Sequence, residues 1–432
     1  MHYFRFVGGQ LCCEGVSLAQ IARRFSTPLY VYSQATIVNH FQKLQTAFNG
    51  TDHLICYAVK ANSNLSILRL LASLGSGFDV VSMGELCRVL EAGGDANKCV
   101  FAGVGKSSEE ILFALKRGIY CFNVESEPEL ERINKLARKM RRMAPVAIRI
   151  NPNVDPHTHA KITTGTSENK FGIPFEQAEE IYKRASRMPN ILLRGVHMHI
   201  GSQICSVDPF EAAVRKMIPL VAYLKKEYQI DFFSLGGGIG IVYDPALVSG
   251  QPQWWEREEA KKILTPQTYA QRLLPLLKPL QMRIILEPGR FIVGNAGVLL
   301  TKVEYVKRTP SKTFVVVDAA MSDLIRPALY DAYHEIVPVR KKRARMIKVD
   351  VVGPVCETSD TFCRDRKLPR LVEGDLLAIM SAGAYGFAMA SNYNSRPLPA
   401  EVLVNGQRVA LVRARQRVEE LWAGEAIAPW LK

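Results

Sequence analysis

The chain of 432 residues contains no uninterrupted apolar run approaching the ~20 residues needed to span a bilayer. Its first ten residues, MHYFRFVGGQ, lack the sustained apolar stretch of a secretory signal. A soluble protein without a membrane partner is therefore expected. The nine cysteines are odd in number and scattered, with one adjacent pair (Cys12, Cys13) and no C-x-x-C. That excludes a disulfide framework and a zinc ribbon, and it points to a reducing, cytoplasmic setting. Acidic residues are in deficit, 41 Asp+Glu against 56 Lys+Arg, a formal charge of +15. Part of the excess gathers at Arg138, Lys139, Arg141 and Arg142 and in RKKRAR (Arg340 to Arg345). No recognisable nucleic-acid module accompanies either cluster, so both read as solvated surface and no nucleic-acid partner is expected. A dinucleotide fold is disfavoured too, because no G-x-G-x-x-G follows a first strand.

What is present is a regular beat of strand and helix, in a chain long enough for two or three domains. LICYAV (Leu54 to Val59), FDVV (Phe78 to Val81), VFAG (Val100 to Gly103) and CFNV (Cys121 to Val124) are short apolar runs. Between them stand Ser82 with Glu85, Ser107 with Glu110 and Ser126 with Glu129, each spaced as a helix-capping box. VAIRI (Val146 to Ile150), GVHMHI (Gly195 to Ile200), FFSLG (Phe232 to Gly236) and RIILE (Arg283 to Glu287) make eight strands in all. Eight alternating units predict an α/β fold, a (β/α)8 TIM-type barrel over residues 33–288. Beyond it GVLLTKVEYV, TFVVVD, MIKVDVV, DLLAIM and EVLVNGQRVALVR, the last with an Asn405-Gly406 turn, predict a C-terminal β-rich domain over 289–432. Residues 1–32, ending in TPLYVYS, are expected to complete that β domain.

Active-site residues of such barrels sit where the strands end. Those positions hold Lys60, Asp79, Arg149, His199, Gly236 to Gly238, Glu287 and Arg290. An amine, acids, an imidazole, a glycine-rich turn and a guanidinium on one rim suit an anionic cofactor better than packing. Lys60 could simply snorkel, but its strand-end position favours a Schiff-base lysine. His197 and His199 alternate, as on one strand, and no third ligand stands at metal spacing, so no metal is expected. LGGGIG (Leu235 to Gly240) would let backbone amides approach a phosphate, or would make a tight turn. EPGR (Glu287 to Arg290) could be an ion pair, or could hold a pyridine nitrogen protonated. In the β domain, GPVCE (Gly353 to Glu357) sets a thiol beside a carboxylate. SAGAYGFAMASNYNSRP (Ser381 to Pro397) reads as a ligand-facing loop.

YAVKAN, HIGSQ, GGGIG, EPGR, DLIRPALY, GPVCE and AYGFAMASNYNSRP stand between Tyr57 and Pro397, and the likeness they carry runs from TPLYVYS (Thr27 to Ser33) to ELWAG (Glu420 to Gly424). Taken together they resemble the pyridoxal-phosphate-dependent decarboxylases with an alanine-racemase-like barrel. The resemblance implies pyridoxal phosphate as cofactor, with Lys60 as the Schiff-base lysine, Asp79 among the cofactor-binding residues and His199 stacked on the ring. Ser202 with Gly236, Gly237 and Gly238 would cradle the phosphate. Glu287 would pair with the ring nitrogen, flanked by Pro288, Gly289 and Arg290. Tyr385 would touch phosphate and substrate. Arg290, Arg326 and Tyr330 would hold a distal carboxylate. Cys356, as proton donor, and Glu357, toward a distal amine, would come from a partner subunit, which implies a homodimer with shared active sites. The implied reaction converts meso-2,6-diaminopimelate to L-lysine and CO₂. Alternatives are decarboxylation of ornithine, arginine or carboxynorspermidine, or a non-catalytic cofactor-binding homologue. Three stretches depart from the pattern: HAKITTG, Ser381 before AGAYG, and ETSDTFC after Cys356.

Overall fold

A computed structural model describes residues 2–155 and 170–431, so HAKITTG lies outside the described residues. The chain forms two compact units. One comprises Ile37–Ile241 and Gln253–Val293, the other Met1–Thr36, Val242–Pro252 and Gly294–Lys432.

The first unit is the barrel. Its strands are His53–Ala58, Gly77–Val80, Cys99–Phe101, Cys121–Val124, Ala144–Asn151, Ile191–His197, Phe232–Ser234 and Arg283–Leu286. Each pairs in parallel with the next, and the eighth returns to the first through Ile284 and His53, which closes the sheet. Cys56, Val100, Cys121, Ala147, Phe232 and Ile285 pack together in its core. Gly195 makes room there, since a Cβ at that position would lie 2.4 Å from the Phe232 ring.

The caps follow the sequence signals with one difference. Asn64 caps Leu65–Ser73, and Ser82, Ser107 and Ser126 each accept from the backbone N–H three residues on. Only Glu110 closes a reciprocal box. Glu85 and Glu129 reach one residue further back, to the N–H of Val81 (2.8 Å) and Glu125 (2.9 Å).

In the second unit Leu29–Ser33 is a central strand. It lies antiparallel to Gly297–Arg308 and parallel to Ala400–Asn405. Alternate residues Leu29, Val31, Val298, Leu300, Val402 and Val404 share one buried face. Thr313–Val317, Met346–Val352, Thr361–Pro369, Ile336–Pro338, Leu376–Ile379 and Arg408–Arg413 complete the nine-stranded sheet. Asn405 pairs with Arg408, which leaves Gly406, at φ 62°, and Gln407 as the hairpin loop. Before Leu29, three short strands form their own sheet, and Leu18–Phe25 is a helix. Residues 242–252, placed by sequence in the barrel, pack in this second unit, where Leu247 N–H donates to Glu335 (2.7 Å). Among the described residues, no helix is long and apolar enough to cross a membrane.

Candidate active site

In the barrel, Lys60 occupies a single 3₁₀ turn, Val59–Ala61, directly after the first strand. Its ammonium donates to Asp79 on the neighbouring strand, whose register sets Asp79 opposite Ala58. Lys60 is partly exposed and the Asp79 carboxyl is buried. Burial raises the Asp79 pKa, and Glu287 adds to that, against the opposing pull of Lys60. The Asp79 Oδ1 is buried without a hydrogen-bond partner.

Glu287 is the centre of a polar cluster inside an apolar barrel. His197 Nε2 donates to its Oε2 at 2.9 Å. Ser234 Oγ (2.8 Å) and Asn123 Nδ2 (3.3 Å) donate to Oε1. Burial alone would raise this carboxyl's pKa. The charge and hydrogen bond of His197, with Lys60 and Ser234, outweigh it and hold the value down to about 2. Glu287 is therefore ionised at neutral pH.

The sixth strand ends at His197, so the two histidines do not share it as the alternation suggested. His197 points to Glu287, while His199 lies in the following loop and its Nδ1 accepts from Gly237 N–H at 3.1 Å. Desolvation, with the positive charges of Arg149 and Lys60, keeps the His199 pKa well below the usual imidazole value. Arg149 is engaged by Glu125 at 3.0 Å and lies over the Phe171 ring.

The glycines of LGGGIG are dictated by close approach. A Cβ on Gly236 would lie 2.4 Å from Met198 O, on Gly237 2.2 Å from Glu287 O, and on Gly238 2.4 Å from Gly201 O. Gly236 (φ 67°) and Gly238 (φ 107°) also occupy left-handed backbone. Nearby, Arg290 Nη2 donates to Ser202 Oγ at 3.2 Å. Pro288 O accepts from Ala58 N–H at 3.1 Å, and Gly289 is close enough to Ala58 and Ala61 that a Cβ would stand 3.1 and 3.0 Å from theirs. EPGR and the Lys60 turn thus abut.

The β unit carries the remaining residues. Arg326 opens a one-turn helix, Arg326–Tyr330, with Tyr330 four residues on and on the same face. Its Nη1 donates to His334 Nε2 at 2.8 Å, and its guanidinium lies 4.9 Å from the Tyr243 ring centroid. Tyr385 has φ 55°, a left-handed conformation that is strained for a bulky side chain. Ser381 is buried and accepts from Asn295 Nδ2 at 2.8 Å, so a polar contact is kept at that departure. Cys356 and Glu357 are exposed in the loop after Met346–Val352. Cys356 N–H donates to Asn394 Oδ1 (3.1 Å), and Tyr393 OH donates to Glu357 (2.8 Å). Ser359 and Tyr393 lower the Glu357 pKa. In ETSDTFC, Asp360 accepts from the N–H of Val355 (2.7 Å) and Met321 (2.6 Å), which closes the thiol loop.

Sequence reasoning missed Asn123 and Ser234, and it gave His197 no role. The available signal was a lone polar residue at an inward position of an otherwise apolar strand.

The barrel residues fit pyridoxal phosphate. A carboxylate offers about four acceptor positions, and three donors on Glu287 leave room for a ring N–H. The buried, unpartnered Asp79 oxygen stands beside the amine that would meet a carbonyl. The glycine turn leaves backbone bare where a phosphate needs close approach. Among the described residues, no group of three or more His, Cys, Asp or Glu is placed to hold a metal ion.

Comparison with known proteins agrees with this chemistry. Residues 34–294 match the family model described as pyridoxal-dependent decarboxylase, pyridoxal binding domain. The diaminopimelate decarboxylase of Vibrio cholerae is 50% identical over 432 residues, covering 99% of this chain and 100% of that one. Among solved structures, the diaminopimelate decarboxylase of Helicobacter pylori complexed with L-lysine is 43% identical, with TM-score 0.87, over 94% of this chain and 98% of that one. The one from M. jannaschii, also in complex with L-lysine, is 39% identical, with TM-score 0.91, over 99% of both chains.

Proposed function

The chain belongs to the pyridoxal-dependent decarboxylase family, and from that premise we propose that it decarboxylates meso-diaminopimelate to L-lysine with pyridoxal phosphate. The observation that carries this reading is the pairing of a rim lysine, Lys60, with buried Asp79, close to an ionised Glu287.

Pyridoxal phosphate, when bound, supplies a sink for the electron pair that CO₂ leaves behind. Glu287, ionised and oriented by His197, Ser234 and Asn123, would accept a ring N–H and keep that proton in place. Asp79 stabilises the Lys60 ammonium and takes up or returns its proton as the amine becomes a nucleophile. Gly236 to Gly238 and Ser202 bind phosphate, with Arg290 steadying Ser202. Tyr385 would bear on phosphate and substrate, and His199 would lie against the ring. Arg326 and Tyr330 would hold the distal carboxylate, the role the resemblance also gives Arg290. Cys356 Sγ delivers a proton to the former α-carbon, and Glu357 faces the distal amine. Arginines of this kind would suit a carboxylate tail and reject the purely cationic tails of ornithine or arginine. Cys356 and Glu357 act in the partner's site of a homodimer, and the nine free thiols support a cytoplasmic setting.

The test is to supply the holoenzyme separately with meso-diaminopimelate, ornithine and arginine and to measure CO₂. Release from meso-diaminopimelate, with L-lysine formed, is expected. Release only from the other two, or from none, overturns the reading. For shared sites, mixed Lys60→Ala and Cys356→Ala subunits should regain part of the activity after exchange.

A further inference from the structure

Arg326 does not stand alone in the β unit. It is buried, and one of its Nη1 hydrogens goes to His334 Nε2 at 2.8 Å. His334 is fully buried, and its other nitrogen, Nδ1, lies 2.8 Å from Met380 O. The two contacts together fix the protonation of the ring. A carbonyl oxygen only accepts, so Nδ1 carries a hydrogen. A guanidinium only donates, so Nε2 must be bare. A neutral imidazole has one hydrogen, and here it is confined to Nδ1. The ring is clamped from other directions as well: Tyr243 meets it edge-on at 5.3 Å, and Arg366 donates to the His334 backbone carbonyl at 3.2 Å. The Tyr243 ring also packs against the guanidinium face.

We propose that His334, held as the Nδ1–H tautomer by Met380 O, is the residue that orients Arg326 and thereby sets selectivity for a ligand with a distal carboxylate. The inference rests on the reading that Arg326 holds that carboxylate. A guanidinium recognises a carboxylate through a planar fork, so its rotation decides whether the pairing is bidentate. His334 fixes that rotation through one N–H, and Tyr243 fixes the plane through the ring face. A lysine at position 326 could not take this orientation, because an ammonium has no plane.

The experiment compares ligands that differ only in the distal carboxylate. L-lysine keeps it and 1,5-diaminopentane lacks it. With the holoenzyme, KM and kcat for meso-diaminopimelate are measured along with the inhibition constants of both amines. His334→Phe is expected to raise KM and the L-lysine inhibition constant about tenfold, the effect of losing one charge-assisted hydrogen bond, with a much smaller change in kcat and in diaminopentane inhibition. His334→Gln, whose amide oxygen reaches the Nε2 position, should recover most of the loss, and His334→Asn, which is too short, should not. If the Phe variant does not fold, the Gln and Asn pair decides. Equal rises for both amines, or none, overturn the role of His334. Arg326→Leu separates the underlying reading: if it too fails to discriminate between the amines, Arg326 is not the carboxylate anchor. If it discriminates and His334→Phe does not, only the present inference fails.

Discussion

His197 Nε2 donates to Glu287 Oε2 at 2.9 Å, with both side chains buried in the barrel. This bond lets a carboxylate remain charged where burial would otherwise neutralise it.

Glu287→Gln should therefore lower kcat by about 10² or more, since a neutral amide cannot stabilise a protonated ring nitrogen. Steady-state kinetics at saturating cofactor check this. A stability signature accompanies it. The folded pKa, about 2, lies below the ordinary 4.5, so the carboxylate contributes stability above pH 4.5 and loses it as pH falls toward 2. The stability gap between wild type and variant should narrow over that acid range in urea titrations. A gap independent of pH would contradict the assignment.

Gly237→Ala should weaken cofactor binding by about tenfold or more, because its Cβ would lie 2.2 Å from the Glu287 carbonyl and the turn must move. Gly105→Ala is the control, since a Cβ there meets nothing within 4 Å. Fluorescence titration with pyridoxal phosphate should separate the two. Similar affinities would show that the turn is merely a connection.

Glu85→Gln should raise stability at pH 8 and change little near pH 4.5. Burial raises the Glu85 pKa to about 7, against the opposing Val81 N–H and Lys60. A raised carboxyl pKa costs stability once the group ionises, and the cost is relieved as pH falls from about 7 to 4.5. The amide keeps an acceptor for Val81 N–H and removes the charge. A gain of about 2 kcal/mol is expected, with solvent at the half-buried side chain screening the full shift. Thermal melts at the two pH values measure it.

The strand and helix order was legible because each barrel strand is a short apolar run followed by a polar cap, as in CFNV before Ser126. Lys60, Glu287 and the glycine turn could be read because they stand at strand ends. Asn123 and Ser234 could not, because each lies inside a run read as a strand, CFNV or FFSLG, and turns toward Glu287 only when the sheet closes, with Ser234 beside His197 in register. The two histidines of GVHMHI misled because strand alternation holds only while the strand lasts. Tyr243, five residues beyond Gly238, belongs with Arg326 and His334, a placement that local sequence does not encode. The left-handed Tyr385 is likewise imposed by its surroundings and not by its own residue type.

The central place of Leu29–Ser33 has a consequence for how the protein is made. Leu29 pairs with Ala400, so the β unit cannot close until nearly the whole chain has left the ribosome, whereas the barrel needs nothing beyond Val293. Such distant pairing is slow, and until it forms, Leu29–Ser33 and Gly297–Arg308 offer bare edges to any neighbouring nascent chain. The window between barrel completion and the arrival of Ala400–Asn405 is when the protein is most exposed to aggregation, and deleting the first thirty residues, which removes the start of its partner strand, would make that window permanent.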